Sequence, residues 1–234
     1  MDHLEFILLD ISAPLIEEWQ LALKKYLPKD IQAKFTIIQS NLSALPPPHD
    51  QFDCIVSPAN SYGRLDGGFD YYLAEALSPD DVFAPTGIVQ ATLYQRWKGY
   101  APPGTCTLVP LKGTVCENNA HGCAFIALCP TMRIPEDVVW NREIVYNCMW
   151  SLLVSLHQHN QAAEMSGNGT RIHKVLMTGL ATGVGNVSAE RCAQQMALAV
   201  GDFIDASENP EKWSSMEWDD AITYARDCRR THRC

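Results

Sequence analysis

Short apolar runs alternate with longer segments of helical spacing along most of this chain, and that alternation constrains the fold more than any other feature. Leu4 to Ile11 reads as a strand. Pro14 to Tyr26 reads as a helix, with Leu15, Ile16, Trp19 and Leu23 on one face. Pro14 suits a first helical turn and Pro28 follows the last one. Ala33 to Gln39 and Phe52 to Ser57 are the next two strands, separated by the surface stretch Pro46-Pro47-Pro48. Phe69 to Leu77 is helical, and a further helix is expected through Asp80 to Trp97. Thr105 to Pro110, Cys123 to Cys129 and Ile172 to Thr178 complete the strands, while Val138 to His157 and Ala189 to Ala206 are helices. Such a series folds as an α/β domain on a largely parallel sheet. No repeat or low-complexity linker divides it, so residues 1–234 are expected to form one domain. Its core spans about 33–206, with a strand and helix at 4–27 and a helical extension at 210–234 carrying Trp213 and Trp218.

Composition excludes several function classes. The net charge of −9 argues against duplex nucleic acid as a partner, because neutralising phosphates dominates that affinity. The one basic cluster, Arg226 to Arg233, reads as a solvated tail. No apolar run is long enough to cross a bilayer, and the start of the chain lacks the pattern of a signal peptide. A soluble cytoplasmic monomer, with a nuclear pool allowed, is the expectation. Of the nine cysteines, Cys54, Cys123, Cys129 and Cys148 sit in apolar runs and are expected as reduced core residues. Cys228 and Cys234 bracket His232, but that cluster lacks the ligand count of a structural zinc site, so no metal is expected.

Two loops carry the candidate chemistry. The first follows the third strand: Ser57-Pro58-Ala59-Asn60, then Asp66-Gly67-Gly68-Phe69-Asp70 entering a helix. The second, Gly179 to Asn186, lies between the sixth strand and the next helix. Glycines let backbone amides approach a phosphate, and a helix start adds oriented N–H groups. The second loop is neither a Rossmann fingerprint, since Ser188 stands where a third glycine is needed, nor an NTPase phosphate loop, since no Gly-Lys-Ser/Thr follows. Simpler roles stand beside these. Asp66 could cap the helix, Asp70 could sit in its first turn as a charge favourable to the dipole, and Asn60 could hold a turn. Asp10 reads as a structural cap, and His49, His121, His157 and His159 show no spacing that suggests a triad.

Ser57-Pro58-Ala59-Asn60 with Gly67-Gly68-Phe69-Asp70 resembles the Asn-Ala-Ala-Asn…Gly-Gly-Val-Asp signature of macrodomains, the ADP-ribose-binding modules. The ten-residue step from Asn60 to Asp70 is similar to that of the MacroD-type mono-ADP-ribosyl hydrolases. Ser-Pro-Ala-Asn-Ser at 57–61, Pro-Thr-Met-Arg-Ile-Pro at 130–135 and Gly-Leu-Ala-Thr-Gly-Val-Gly at 179–185, with Ala193-Gln194-Gln195-Met196, look like a fungal and bacterial branch of that superfamily. That branch is associated with ADP-ribose-1″-phosphate processing and ADP-ribosyl hydrolysis. The resemblance covers roughly residues 33 to 205 and implies a three-layer α/β/α fold with a mixed, largely parallel sheet of six to seven strands.

The resemblance also assigns roles. Asn60 would bond the distal ribose and Asp70 would activate water near its anomeric carbon. Amides around Gly67, Gly68 and Phe69, and those of Gly179, Thr182, Gly183, Val184, Gly185 and Asn186, would wrap the diphosphate, with Ala59 and Leu42 lining the ligand. Ser40-Asn41-Leu42 stands where the family has its adenine-reading aspartate; Asn41 could accept from the adenine amino group instead. Arg133 is either a phosphate ligand or an ion-pair partner at the start of the next helix. The implied activity is removal of mono-ADP-ribose from acidic protein side chains, with neither cofactor nor metal. An ADP-ribose-1″-phosphate phosphatase and a non-catalytic ADP-ribose reader are the alternatives.

Overall fold

In a computed structural model of the protein, residues 3–167 and 169–233 are described. Six strands form one sheet: β1 (Glu5–Asp10), β2 (Phe35–Gln39), β3 (Cys54–Ser57), β4 (Thr107–Pro110), β5 (Phe125–Leu128) and β6 (Lys174–Met177). Their order across the sheet is β2-β1-β6-β3-β5-β4. All neighbours are parallel except the β4–β5 pair, which makes a mixed sheet with one antiparallel edge. β1 lies inside this order, with Phe6 opposite both Phe35 and Val175.

Alternate side chains of these strands feed two separate cores, as the period-2 geometry of a strand requires. Phe6, Leu8, Cys54, Val56, Val175 and Met177 face α1 (Ala13–Tyr26), α5 (Ile144–Ser166) and α6 (Ala189–Glu208). Ile7, Leu9, Ile55, Ile126, Leu128 and Leu176 face α3 (Phe69–Leu77) and α4 (Ala84–Trp97). The central strands are thus apolar on both faces, which is why they read as unbroken runs rather than as alternation. Cys54, Cys123, Cys129 and Cys148 are buried free thiols, as expected. Burial pushes Cys123 and Cys148 up to about 12, so they behave as small apolar residues.

Several boundaries differ from expectation, each for a local reason. The helix expected from Val138 begins only at Ile144 and runs on to Ser166, where Gly167 closes it with φ of 65°. The residues before it form turns instead: Asp137 Oδ1 accepts from Val139 N at 2.9 Å, and Val138 N is drawn to Gly185 O at 3.0 Å. α4 starts at Ala84 rather than Asp80, because the Asp81 carboxylate accepts from Phe83 N and holds a turn there. A short helix, α2 (Lys29–Gln32), follows α1.

Beyond α6 the chain adds α7 (Pro210–Ser214) and α8 (Trp218–Arg230). Trp213 stacks on Trp150 at 5.4 Å and donates its indole N–H to Asp205, whereas Trp218 is exposed. The last turn of the described chain is fastened by Gln195, a fully buried amide on α6. Its Nε2 donates to Arg142 O at 2.6 Å and to Thr231 Oγ1 at 2.8 Å, and its Oε1 accepts from Tyr146 N at 3.2 Å. Gln195→Leu is isosteric enough to fill the space but strands the Arg142 carbonyl and the Tyr146 N–H, while Thr231 Oγ1 keeps only its bond to Cys228 O at 2.7 Å. We expect it to cost about 2–4 kcal/mol in chemical denaturation and to speed proteolysis within α7 and α8. An unchanged denaturation midpoint would show that the network carries no net stability.

Candidate active site

The C-terminal ends of β2, β1, β6 and β3, four adjacent parallel strands, open into a cavity of about 810 Å³. Crevices at this end of a parallel sheet are where α/β proteins place ligands, because loops leave the strands there and helix N-termini point back in. One wall comes from the β3–α3 loop and another from the β6–α6 loop. The loop after β2, including Asn41 and Leu42, forms a third side.

Asp70 lies in the first turn of α3 and is only 8% exposed. Ser57, the last residue of β3, donates its hydroxyl to Asp70 Oδ1 at 2.7 Å. Burial pushes the Asp70 carboxyl up to about 7, although the Ser57 hydrogen bond opposes the shift. The helix-start position would by itself stabilise the anion, so desolvation wins here. With Oδ1 engaged by Ser57, Oδ2 is left for a water or a substrate group. A carboxyl poised near neutrality inside a cleft is suited to proton transfer.

The helix start beside it is uncapped: Gly68 occupies the N-cap with φ of 57° and ψ of −138°, and makes no side-chain cap. Only glycine adopts that backbone readily, and without a side-chain cap the first amides of α3, at residues bordering the cavity, are left for water or a ligand. Asp66 is therefore not the helix cap. It pairs instead with Arg64, whose Nε donates to Asp66 Oδ2 at 2.8 Å at the exposed rim.

The loop Gly179–Asn186 supplies the opposite wall. Asn186 N donates to Gly183 O and Val187 N to Ala181 O, which tightens the turn. Among the described residues, no hydrogen bond is made by the amides of Gly183, Val184 and Gly185, and these residues line the cavity. A carbon added at Gly185 would meet the Ala181 carbonyl oxygen at 2.6 Å, and one at Gly179 would meet Leu15 Cδ2 at 2.6 Å. Gly179 thus lets the loop lie close against the buried Leu15 of α1, and Gly185 lets it fold back on its own main chain.

Asn41, Leu42, Ala59, Asn60, Gly67, Gly68, Phe69, Asp70, Gly179, Thr182, Gly183, Val184 and Gly185 all border this one cavity. Asn186 does not. Its amide donates to Asp137 Oδ2 at 3.0 Å and ties the loop to the segment before α5. Asn60 holds its own loop: Oδ1 accepts from Tyr62 N and Arg64 N, and Nδ2 donates to Arg64 O at 2.9 Å. One amide hydrogen remains for a ligand. Asn41 Oδ1, the acceptor expected to meet adenine, already accepts from Ala44 N at 2.8 Å and Ser43 Oγ at 2.9 Å; both lone pairs are used. Asp10 is a structural tie as expected, accepting from Ser12 N at 2.9 Å and from Thr178 Oγ1 at 2.6 Å.

Arg133 does not border this cavity, and no ion pair is made by it among the described residues. Its Nε donates to Tyr62 Oη at 3.2 Å and its guanidinium lies 5.2 Å from the Tyr100 ring centre. His121 and His159 bond main-chain carbonyls, and no histidine borders the cavity among the described residues. Ser57 is the partner of Asp70 that the motif spacing alone does not single out. Its signal was a hydroxyl closing the otherwise apolar strand Cys54-Ile55-Val56-Ser57.

No family model and no curated protein matches the sequence. Solved structures similar to the chain include the Oceanobacillus iheyensis macrodomain, as a glycine-to-valine variant with ADPR, at 15% identity and a TM-score of 0.48. That alignment covers 66% of this chain and 73% of the other. The same protein with ADP aligns at 15% identity and a TM-score of 0.46, over 67% and 72% of the two chains. With MES bound it aligns at 13% identity and a TM-score of 0.45, over 78% and 87%.

Proposed function

We propose that the chain is a macrodomain hydrolase of ADP-ribose derivatives, cleaving at C1″ of the distal ribose. The observation that carries the reading is Asp70, buried against Ser57 at an uncapped helix start, in the same cavity as the Gly179–Gly185 amides. The amide-lined loop and the start of α3 supply positive dipole ends on two sides of the space, which suits a diphosphate without lysine. Asn60 borders the same cavity, and its remaining amide hydrogen would bond a ribose hydroxyl.

Cleavage at an anomeric carbon passes through an oxocarbenium-like state. A water attacks C1″, its proton passes to Asp70 Oδ2, and the bond to the leaving oxygen breaks with its electron pair going to that oxygen. One carboxyl serves as base in this scheme and Asp66 is held by Arg64, so the leaving group departs without a strong acid. A carboxylate leaves readily, which favours ADP-ribose esters of acidic side chains as substrates. A phosphate would leave by the same route, and release from ADP-ribose-1″-phosphate is the second reading.

Assaying the purified protein on glutamate-linked ADP-ribosyl protein and on ADP-ribose-1″-phosphate separates the two. Faster release from the protein is expected. Because the base must be ionised, kcat/KM should rise through about pH 7 and level off above it. Tight binding of ADP-ribose with no release from either substrate would make the protein a reader rather than an enzyme.

A further inference from the structure

We infer that Glu143, Cys228 and His232 form a zinc-type divalent metal site that fastens α8 to the start of α5. The three residues each offer one ligand atom, and these atoms lie within 4.8 Å of one another. None of them borders the cavity described above.

Cys228 and His232 are four residues apart, across the junction of α8 and the closing 3-10 turn Thr231–Arg233, so they share a face. Glu143 comes from 85 residues earlier in the chain (228 − 143) and sits at the N-cap of α5, yet its carboxylate makes no cap hydrogen bond. Thiolate, imidazole and carboxylate are the donor types that zinc takes. Their charges, two negative and one neutral, cancel a divalent cation, so the filled site carries no net charge.

The geometry between His232 and Glu143 separates a metal site from a plain ion pair. His232 Nε2 is 3.2 Å from Glu143 Oε1, close enough to pair. Yet Nε2 is a buried nitrogen that makes no hydrogen bond. The two atoms are near each other without pointing at each other. Ligands of one tetrahedral ion behave in this way: with metal–ligand lengths of roughly 2.05 Å, adjacent N and O atoms stand about 3.3 Å apart and both aim at the centre. The site is also pre-positioned. Gln195 holds Arg142 O beside Glu143 and Thr231 Oγ1 beside His232, and Arg191 donates to the main-chain carbonyls of Val139 and His232.

The surroundings give a metal something to do. From Pro210 to Arg233, Cys228 and Thr231 are the only buried residues among those described, so α8 has little apolar surface to hold it. Binding replaces the Cys228 proton by the metal: the S–H proton leaves to solvent as the metal–sulfur bond forms.

The test uses chelator-treated full-length protein titrated with cobalt(II), which reports thiolate ligation as a charge-transfer absorption. Saturation at about one ion per chain is expected, with the band abolished by equimolar zinc. Cys228→Ser should lose the band, and Glu143→Gln, a change at a partly exposed carboxylate, should weaken cobalt binding at least tenfold. Zinc should raise the thermal midpoint of the wild type more than that of Glu143→Gln. Matching circular dichroism of the metal-free proteins excludes misfolding as the cause. No saturable band in the wild type, or unchanged affinity in Glu143→Gln, overturns the site and leaves an ordinary histidine–glutamate ion pair.

Discussion

Replacing Asp70 by Asn should lower turnover of an ADP-ribosyl ester by about 10²- to 10⁴-fold while ADP-ribose still binds within a few-fold of wild type. Asn keeps the size of the side chain and its oxygen can still accept from Ser57, so the cavity wall survives while the base is lost. The same substitution carries a stability signature of fixed sign. The unfolded chain releases the Asp70 proton near the ordinary carboxylate pKa, and the folded chain releases it at about 7. Between those values the native state holds the extra proton, so this group's contribution to stability falls as pH rises from about 4 to about 7. Asp70→Asn should therefore match wild type near pH 4 and exceed it at pH 8, by up to the order of 4 kcal/mol for a shift of about three units. Urea denaturation of both proteins at the two pH values measures the difference. Equal turnover would remove Asp70 from the chemistry, and a variant less stable at pH 8 would contradict the burial argument.

Gly185→Ala should be the most damaging single carbon in the β6–α6 loop. The added Cβ would sit 2.6 Å from the Ala181 carbonyl oxygen and 3.0 Å from Val138 Cγ2, and neither a main-chain atom nor a packed β-branched residue gives way easily. Overpacking of this kind costs about 1–3 kcal/mol. Because the amides of Gly183 to Gly185 would move with it, ADP-ribose affinity should fall at least tenfold, an order-of-magnitude expectation for displaced charge-assisted hydrogen bonds. Gly183→Ala is the control for stability, since its added carbon meets nothing within 4 Å. Calorimetric titration with ADP-ribose reads the affinity. A Gly185→Ala protein that binds normally would mean that the diphosphate does not rest on this loop.

The central strands of this protein were legible because they are buried on both faces and so appear as continuous apolar runs, as in Cys54-Ile55-Val56 and Val175-Leu176-Met177. The cavity walls were legible where a positive φ or a close approach favours glycine, as at Gly68, Gly179 and Gly185. It was not legible where one side chain has to choose among partners that only the fold brings together. Asn41 could equally read a base or cap a turn, and the adjacent Ser43 and Ala44 decide for the turn. Asp66 could have capped α3, but Arg64 two residues away takes it. Val138 to Glu143 carries helical spacing, yet Asp137 and Gly185 compete for its amides and win. Glu143 joins Cys228 and His232 through tertiary structure alone, so the tail by itself looked short of ligands.

The placement of β6 also governs when this protein can fold. β1 and β3 do not pair with each other; each pairs with β6, and Phe6 meets Val175 across 169 residues (175 − 6). A chain leaving the ribosome therefore carries two incomplete half-sheets, β1–β2 and β3–β5–β4, with their inner edges open until residue 177 has emerged. Contacts of such long sequence separation slow folding and leave strand edges available to other nascent chains. Synthesis of the last quarter of the chain is thus the step that ends its exposure to aggregation, and β6 is the strand whose weakening should lower soluble yield first.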